Sequence, residues 1–549
     1  MIMKKYIFLI AITILGLSYQ SYSCTDIIVG KNASADGSVI TSHTGAAPEC
    51  RVHVVLAMDF PIGAMANVYY GLQDVTKPFG TYGKVIGQIP QARHTYKYFH
   101  SGYSHMNEYQ LAIGESTMSQ KDTMSQKDEL MVSRETGEQI MTIEQAMVFA
   151  LQRCKTAREA VILIGSLVDE WGFLPSCGPE SEALCIADPN EAWVFEVFSV
   201  GPDWEPGQPG AIWAAQRVPD DHVVVVPNWS IIKEINIKDK DNFLASKNYK
   251  QEAIDRGWYD PKSGKPFIWQ EAYSPLPREW AMGRFWLFFK TFAPNYKDWP
   301  DKTAHSPYDG NKPYTQYLEP VSYYPFSVKP EKKVSVQDVI AFQRSLFEET
   351  IYDMTNDKAW LVPNKEGQMV KSPLTTPFPT RYMRELLNLT YRRMVSRGGY
   401  GMVAQLRSWL PDPIGGVYWY YVDNQYVSTY VPIYAGAMEI APELKEYDPD
   451  AYSESSYRWA IDMVDNLLYL QWQEAAEDLK AARDPLEARF FEEQDKIDKE
   501  ALFQYEKIPE MGLKYITAYS LDCQKDAMEM YRELQKTLIS KYTNNKQGL

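Results

Sequence analysis

The sequence predicts an α+β fold in which helices are layered on antiparallel sheets. Three observations predict it: short β-rich runs separated by turn residues, helix-start signatures lying between those runs, and a long charged helical stretch at the C-terminal end. That order is compatible with an αββα sandwich, although composition alone does not single the architecture out.

Thr25 to Gly30 and Ser38 to Ser42 are β-rich and flank a loop containing Asp36-Gly37, so they read as a hairpin. This sets Cys24 at the start of a strand and brings His43 back beside it. Thr117–Asp122 is repeated at once as Thr123–Asp128, which reads as an exposed loop. Thr142 with Gln145 reads as a capping box, with Met147, Ala150, Leu151 and Cys154 following at helical spacing. Thr156 with Glu159 opens a second helix reaching about Glu170. Cys185–Ala187 and Ala192–Phe198 flank Asp188-Pro189-Asn190, a turn between strands. Ile212–Val218 and Val223–Val226 add two strand-like runs.

Residues 236–330 are rich in Trp, Tyr, Pro and Lys, with weak periodicity, and read as an elaboration packed beside the core. Val334–Tyr352 reads as helix and Ser408–Tyr434 as strands and turns. From Ser453 onward the chain reads as helical, including Arg458–Lys480 and Pro485–Tyr505, with charge runs that form solvated faces. The expected division is a leader at 1–23, a core in two parts at 24–235 and 331–440, an insertion at 236–330 and a helical region at 441–549.

The 549 residues carry 56 Lys+Arg and 71 Asp+Glu, a formal charge of −15. With 45% hydrophobic and 13% aromatic residues the chain has material for a large core, which excludes general disorder. The acidic balance argues against nucleic acid or an anionic membrane surface as partner. Six cysteines are too few for a disulfide framework. Export permits a pair, and Cys177 and Cys185 are close enough in sequence to consider.

Met1 to Ser23 reads as a secretory leader: Lys4 and Lys5, an apolar stretch from Tyr6 to Leu17, then Ser21-Tyr22-Ser23 as the cleavage signature. The apolar stretch is too short for a permanent anchor. The expectation is an exported protein, periplasmic or extracellular, without a transmembrane anchor; whether it forms homo-oligomers is left open. Cleavage would expose Cys24. Lipidation of that cysteine competes, but such sites usually carry leucine three positions ahead, where this chain has Ser21.

An N-terminal cysteine carries its own base. A thiol titrates near 8.5 and an α-amine near 7.7–8.0, about 2.5 units below lysine, so near neutrality a useful fraction of the amine is unprotonated. Nucleophile and base then sit on one residue. HExxH, Walker, GxSxG and paired CxxC signatures are absent, so no metal and no cofactor are expected.

A set of segments resembles the dipeptidase A and secernin-like family of N-terminal-nucleophile (Ntn) cysteine peptidases. They are Cys24–Ser34, Asp36-Gly37-Ser38, Ser42-His43-Thr44, Asn107–Gln110 with Gly114–Thr117, Ala187-Asp188-Pro189 with Glu191-Ala192-Trp193, Arg217–Asp220, Tyr324–Ser335 and Arg407–Val417. The resemblance implies an Ntn αββα fold and cleavage of short peptides, chiefly dipeptides, through an acyl-enzyme on Cys24. It makes Asn228 a candidate oxyanion donor, with a strand-end residue capping a turn as the alternative, and Arg407 a candidate contact for a substrate carboxylate, with a structural ion pair as the alternative; His43 is a candidate to orient the amine or face the substrate, or else a hydrogen-bonded structural histidine. Acyl amides of the bile-salt or penicillin type are an alternative substrate class, and a non-catalytic binding paralogue is a third reading. The chain departs from the family in two places. Gly45-Ala46-Ala47 stands where an acid is common, and Leu346 and Glu349 stand where the family often has histidine and glycine. Asp26 is a candidate to replace the missing acid.

Overall fold

The computed structural model describes residues 24–45, 48–75, 83–121, 130, 132–133, 136–176, 180–274, 279–296, 324–350, 353–389, 395 and 398–543. The leader, Ala46-Ala47, Cys177 and most of the second hexamer lie outside them.

The expected hairpin is formed by β1 (Asp26–Val29) and β2 (Val39–Gly45), with Asp36 and Gly37 in the connection. The predicted helix pair is α1 (Ile143–Arg153) and α2 (Ala157–Trp171), and it follows strand β3 (Ala112–Met118). Around the Asp188-Pro189-Asn190 turn run β4 (Ser181–Ala187) and β5 (Ala192–Phe198), then β6 (Ile212–Arg217) and β7 (Val223–Val226). The segment 236–330 supplies β8 (Phe243–Ala245) and helix α3 (Glu279–Phe292). Then come α4 (Val336–Gln343), β9 (Tyr400–Leu406), β10 (Gly416–Val422), β11 (Val431–Tyr434), α5 (Tyr457–Leu468), α6 (Trp472–Lys507) and α7 (Pro509–Tyr542).

The strands make two antiparallel sheets, one in the order β7-β1-β2-β9-β10-β11, the other in the order β8-β6-β5-β4-β3. They face each other: Thr41 Oγ1 donates to the Cys185 carbonyl at 3.2 Å, and Ser116 Oγ to the Val226 carbonyl at 3.3 Å. Helix α2 covers the outer face of the five-stranded sheet, while α4, α6 and α7 pack against the six-stranded one, where Trp419 stacks on Phe491 of α6 at 3.9 Å. Their apolar faces are thereby buried, and this burial supplies most of the fold's stabilisation.

Several local expectations need correction. The first hexamer is no surface loop at its start, because Thr117 and Met118 end strand β3 and Met118 is fully buried. Thr142 makes no side-chain cap bond, since Gln145 instead accepts the Tyr69 N–H. The Thr156–Glu159 box is formed as expected. The helix expected over Val334–Tyr352 ends by Arg344, and Phe347 and Glu349 then adopt left-handed backbone with φ of 62° and 58°. A helix cannot propagate through such residues. Glu349 stands where the family often has glycine, the residue for which that backbone carries no steric cost. Helix α6 runs without a break from Trp472 through Pro485 to Lys507. Cys50, Cys154, Cys185 and Cys523 are free thiols. No helix among the described residues is long and apolar enough to cross a membrane.

Candidate active site

Cys24 immediately precedes β1 and is only 5% exposed. Its carbonyl accepts from a guanidinium N–H of Arg284, whose helix α3 reaches the end of the six-stranded sheet. The same Arg284 nitrogen lies 2.7 Å from Thr25 Oγ1 and 3.0 Å from Asn228 Oδ1, and its other terminal nitrogen donates to the Pro227 carbonyl at 2.9 Å. One fully buried cation thus ties the start of β1 to the end of β7. A planar fork of donors suits this better than a point charge would.

Asn228 follows the pairing of β1 with β7, in which Asp26 faces Val226. Continued by two residues, that register brings Asn228 opposite Cys24. Its φ of 58° is left-handed, a conformation asparagine tolerates. Its N–H donates to Ser116 Oγ at 3.1 Å and its side-chain amide to the Thr117 carbonyl at 2.8 Å. Asn228 thus ties the end of β7 to β3 rather than capping its own turn.

Around Cys24 the first two strands are bridged by side chains. The Thr25 N–H donates to Thr44 Oγ1, and the Ile27 N–H to Ser42 Oγ. Asp26 is fully buried. Its Oδ1 accepts the Thr44 N–H at 3.3 Å and lies 3.7 Å from His43 Nδ1. Burial raises the Asp26 pKa well above the usual carboxylate value, with the Thr44 N–H and the Arg284 charge only partly opposing it. Burial lowers His43, and the Glu115 charge and backbone contact pull it back. Both shifts run toward the neutral forms. Burial also raises the Tyr400 and Tyr421 phenols, and the Cys24 thiol contributes to both shifts.

Arg407 is not brought to this site. It follows β9 at the end remote from Tyr400, seven residues or about 23 Å along the strand. It is buried and its guanidinium is held by Asp498 and by the Ile414 and Gly415 carbonyls. Its N–H donates to Gln110 Oε1, so two of the resembling segments meet there as a clamp. The expected contact between Arg407 and substrate is therefore replaced by a structural ion pair.

The sequence reading missed Arg284. The one signal was a lone arginine inside the apolar run Glu279–Phe292, since a buried arginine needs dedicated partners. Among the described residues no three His, Cys, Asp or Glu side chains are grouped to hold a metal ion. A cavity of about 950 Å³ lies between α4 and α6, lined by Phe342, Arg344, Arg483, Glu487 and Phe491, and does not include Cys24.

The model of peptidase family C69 matches residues 23–484, most of the chain. The chain belongs to this family of cysteine-type peptidases. A probable dipeptidase B of Streptococcus pyogenes serotype M1 is 23% identical, with 98% of this chain and 97% of that protein covered. A probable dipeptidase of Latilactobacillus sakei is 22% identical over 84% of each chain. One of Salmonella dublin is 23% identical, with 80% of this chain and 87% of that protein covered.

Proposed function

We propose that the chain is an exported dipeptidase of the Ntn kind, in which removal of Met1–Ser23 frees the α-amine of Cys24. The observation that carries this reading is the convergence of Arg284 and Asn228 on Cys24 at the start of a strand. A family match beginning at Ser23, one residue earlier, supports the same cut. Two facing sheets with helices outside fit the αββα layering of Ntn hydrolases, and the names of the relatives support short peptides as substrates.

In this reading the amine takes the thiol proton as Cys24 Sγ attacks the peptide carbonyl. It returns that proton to the departing nitrogen when the C–N bond breaks, leaving a thioester. Water then attacks the thioester by the same route. Asn228 has two amide N–H groups, and the one not spent on Thr117 serves the oxyanion. Arg284 fixes both partners by holding the Cys24 carbonyl and the Asn228 amide oxygen.

Intact mass of the secreted protein is expected to show a chain starting at Cys24 without an acyl group. Cys24→Ala is expected to lower dipeptide turnover by about a thousandfold or more without unfolding the protein. Unchanged turnover would remove the assignment, and preferential cleavage of acyl amides would replace the substrate class.

A further inference from the structure

We infer that His43 is the positioning residue that replaces, in this chain, the acid missing at Gly45 and Ala46: its Nε2 fills the slot opposite Cys24 and orients the freed α-amine. This rests on the Ntn reading above and adds a residue to it.

The register of β1 and β2 pairs Ile28 with Thr41 and Val29 with Ile40. Continued toward the N-terminus it sets Asp26 opposite His43 and Cys24 opposite Gly45, and the 3.7 Å Asp26–His43 contact agrees with it. Facing residues on neighbouring strands have Cβ atoms about 5 Å apart. Position 45 has no side chain, and the His43 ring leans into the vacant place. A Cβ on residue 45 would lie 2.6 Å from His43 Nε2 and 3.4 Å from the Tyr400 ring. The imidazole thus occupies what a side chain facing Cys24 would otherwise fill.

The ring is fixed in position. Tyr103, His105 and Tyr400 surround it at centroid distances of 5.6–5.7 Å. Glu115 on the free edge of β3 holds Nδ1 with its carbonyl at 2.9 Å and its N–H at 3.1 Å. Nδ1 is therefore satisfied whether it donates or accepts, and both neutral tautomers are accommodated. Nε2 is fully buried, and no described residue hydrogen-bonds it. Nδ1 donating to the Glu115 carbonyl leaves Nε2 as an acceptor. An amine acting as base must aim its lone pair at the thiol, and an acceptor for one of its N–H groups sets that direction. The groups facing the ring are Asp26 from β1, Glu115 from β3, Tyr103 and His105 from the segment before β3, and Tyr400 from β9.

The test uses the processed protein. Asparagine at position 43 keeps an amide near Glu115 but has no atom that reaches the slot. His43→Asn is expected to lower kcat about a hundredfold, to leave KM within about threefold, and to shift the acid limb of the kcat–pH profile. Gly45→Ala, whose Cβ displaces Nε2, is expected to lose as much, and to cost little more when added to His43→Asn. A His43→Asn kcat within about threefold of the parent, or additive losses for the two substitutions, overturns the inference. The pH of half-labelling of Cys24 by iodoacetamide needs no peptide. It is expected to rise by about one unit in His43→Asn, and an unmoved midpoint overturns the inference. A raised midpoint with no dipeptide cleavage would upset the substrate class and keep His43. Dipeptide cleavage that His43→Asn leaves intact would do the reverse.

Discussion

At the Leu406 end of the six-stranded sheet, Arg407 meets Asp498 from α6, and the same carboxylate accepts from the Tyr434 hydroxyl at 2.8 Å. At the Cys24 end, buried acids outnumber the cations that reach them. Asp26 Oδ2, Glu115 Oε2 and Glu144 Oε2 have no hydrogen-bond partner among the described residues. Burial raises all three groups. Arg284 spends its donors on a carbonyl, a hydroxyl and an amide oxygen as well. The first end is a closed electrostatic lock. The second keeps protonatable groups out of ion pairs beside a nucleophile, and perturbed titration of that kind marks functional ground.

The sharpest way to break the contrast is at the lock. Arg407→Met is expected to cost about 3–5 kcal/mol in urea or thermal unfolding by stranding Asp498, while kcat of the folded enzyme stays within about twofold. Replacing Arg407 and Asp498 together with apolar residues should recover most of that loss. At the other end Arg284→Met is expected to lower kcat/KM by about a hundredfold, equivalent to about 2.7 kcal/mol, and Arg284→Lys should restore little of it. Equal activity losses at Arg407 and Arg284 would erase the distinction between the ends.

The smallest expected effect concerns protons. Burial raises Glu144 from 4.5 to about 7, so the native state keeps a proton that the unfolded chain releases. Its stabilising contribution is complete below pH 4.5 and is lost as pH rises through about 7. Between pH 5 and 7 this amounts to about 2 kcal/mol, and Glu144→Gln should flatten the decline in denaturant midpoint over that range. A mutant as pH-dependent as the parent would place the proton elsewhere in the cluster.

Legibility in the sequence followed the range of the signal. The β1–β2 and β4–β5 hairpins, the α1–α2 pair and β7 were readable because turn chemistry, capping and β-branched runs act over a few residues. Strand β9, central to its sheet, was not read from the sequence, where three glycines, Gly398, Gly399 and Gly401, interrupt its β-rich pattern. At Gly401 a Cβ would collide with the His43 carbonyl and the Tyr421 ring, so that glycine records close strand approach rather than a turn. Cys24 was read as a candidate from the composition of residues 1–23 ahead of it, and Asn228 from its place after four valines. Arg284 acts across 260 residues, and no local pattern carries that distance. For Arg407 two readings stood, because membership of a shared segment does not separate a clamp from a contact with substrate, and the pairing with Asp498 is the clamp. Asp188, Glu191 and Arg217 belong to the same lesson: Asp188 accepts the Ala157 N–H that opens α2, and Glu191 pairs with Arg217.

The long C-terminal helices bear on the order in which the molecule can assemble. Glu487 from α6 reaches Arg344 and the Tyr430 N–H, Ser520 from α7 takes the Tyr434 N–H, and Gln524 takes that of Ala441. The sheet that begins at Cys24 is therefore sealed by residues synthesised some 500 positions later. A nascent chain would emerge with this sheet unsealed and complete it only once translation is nearly finished.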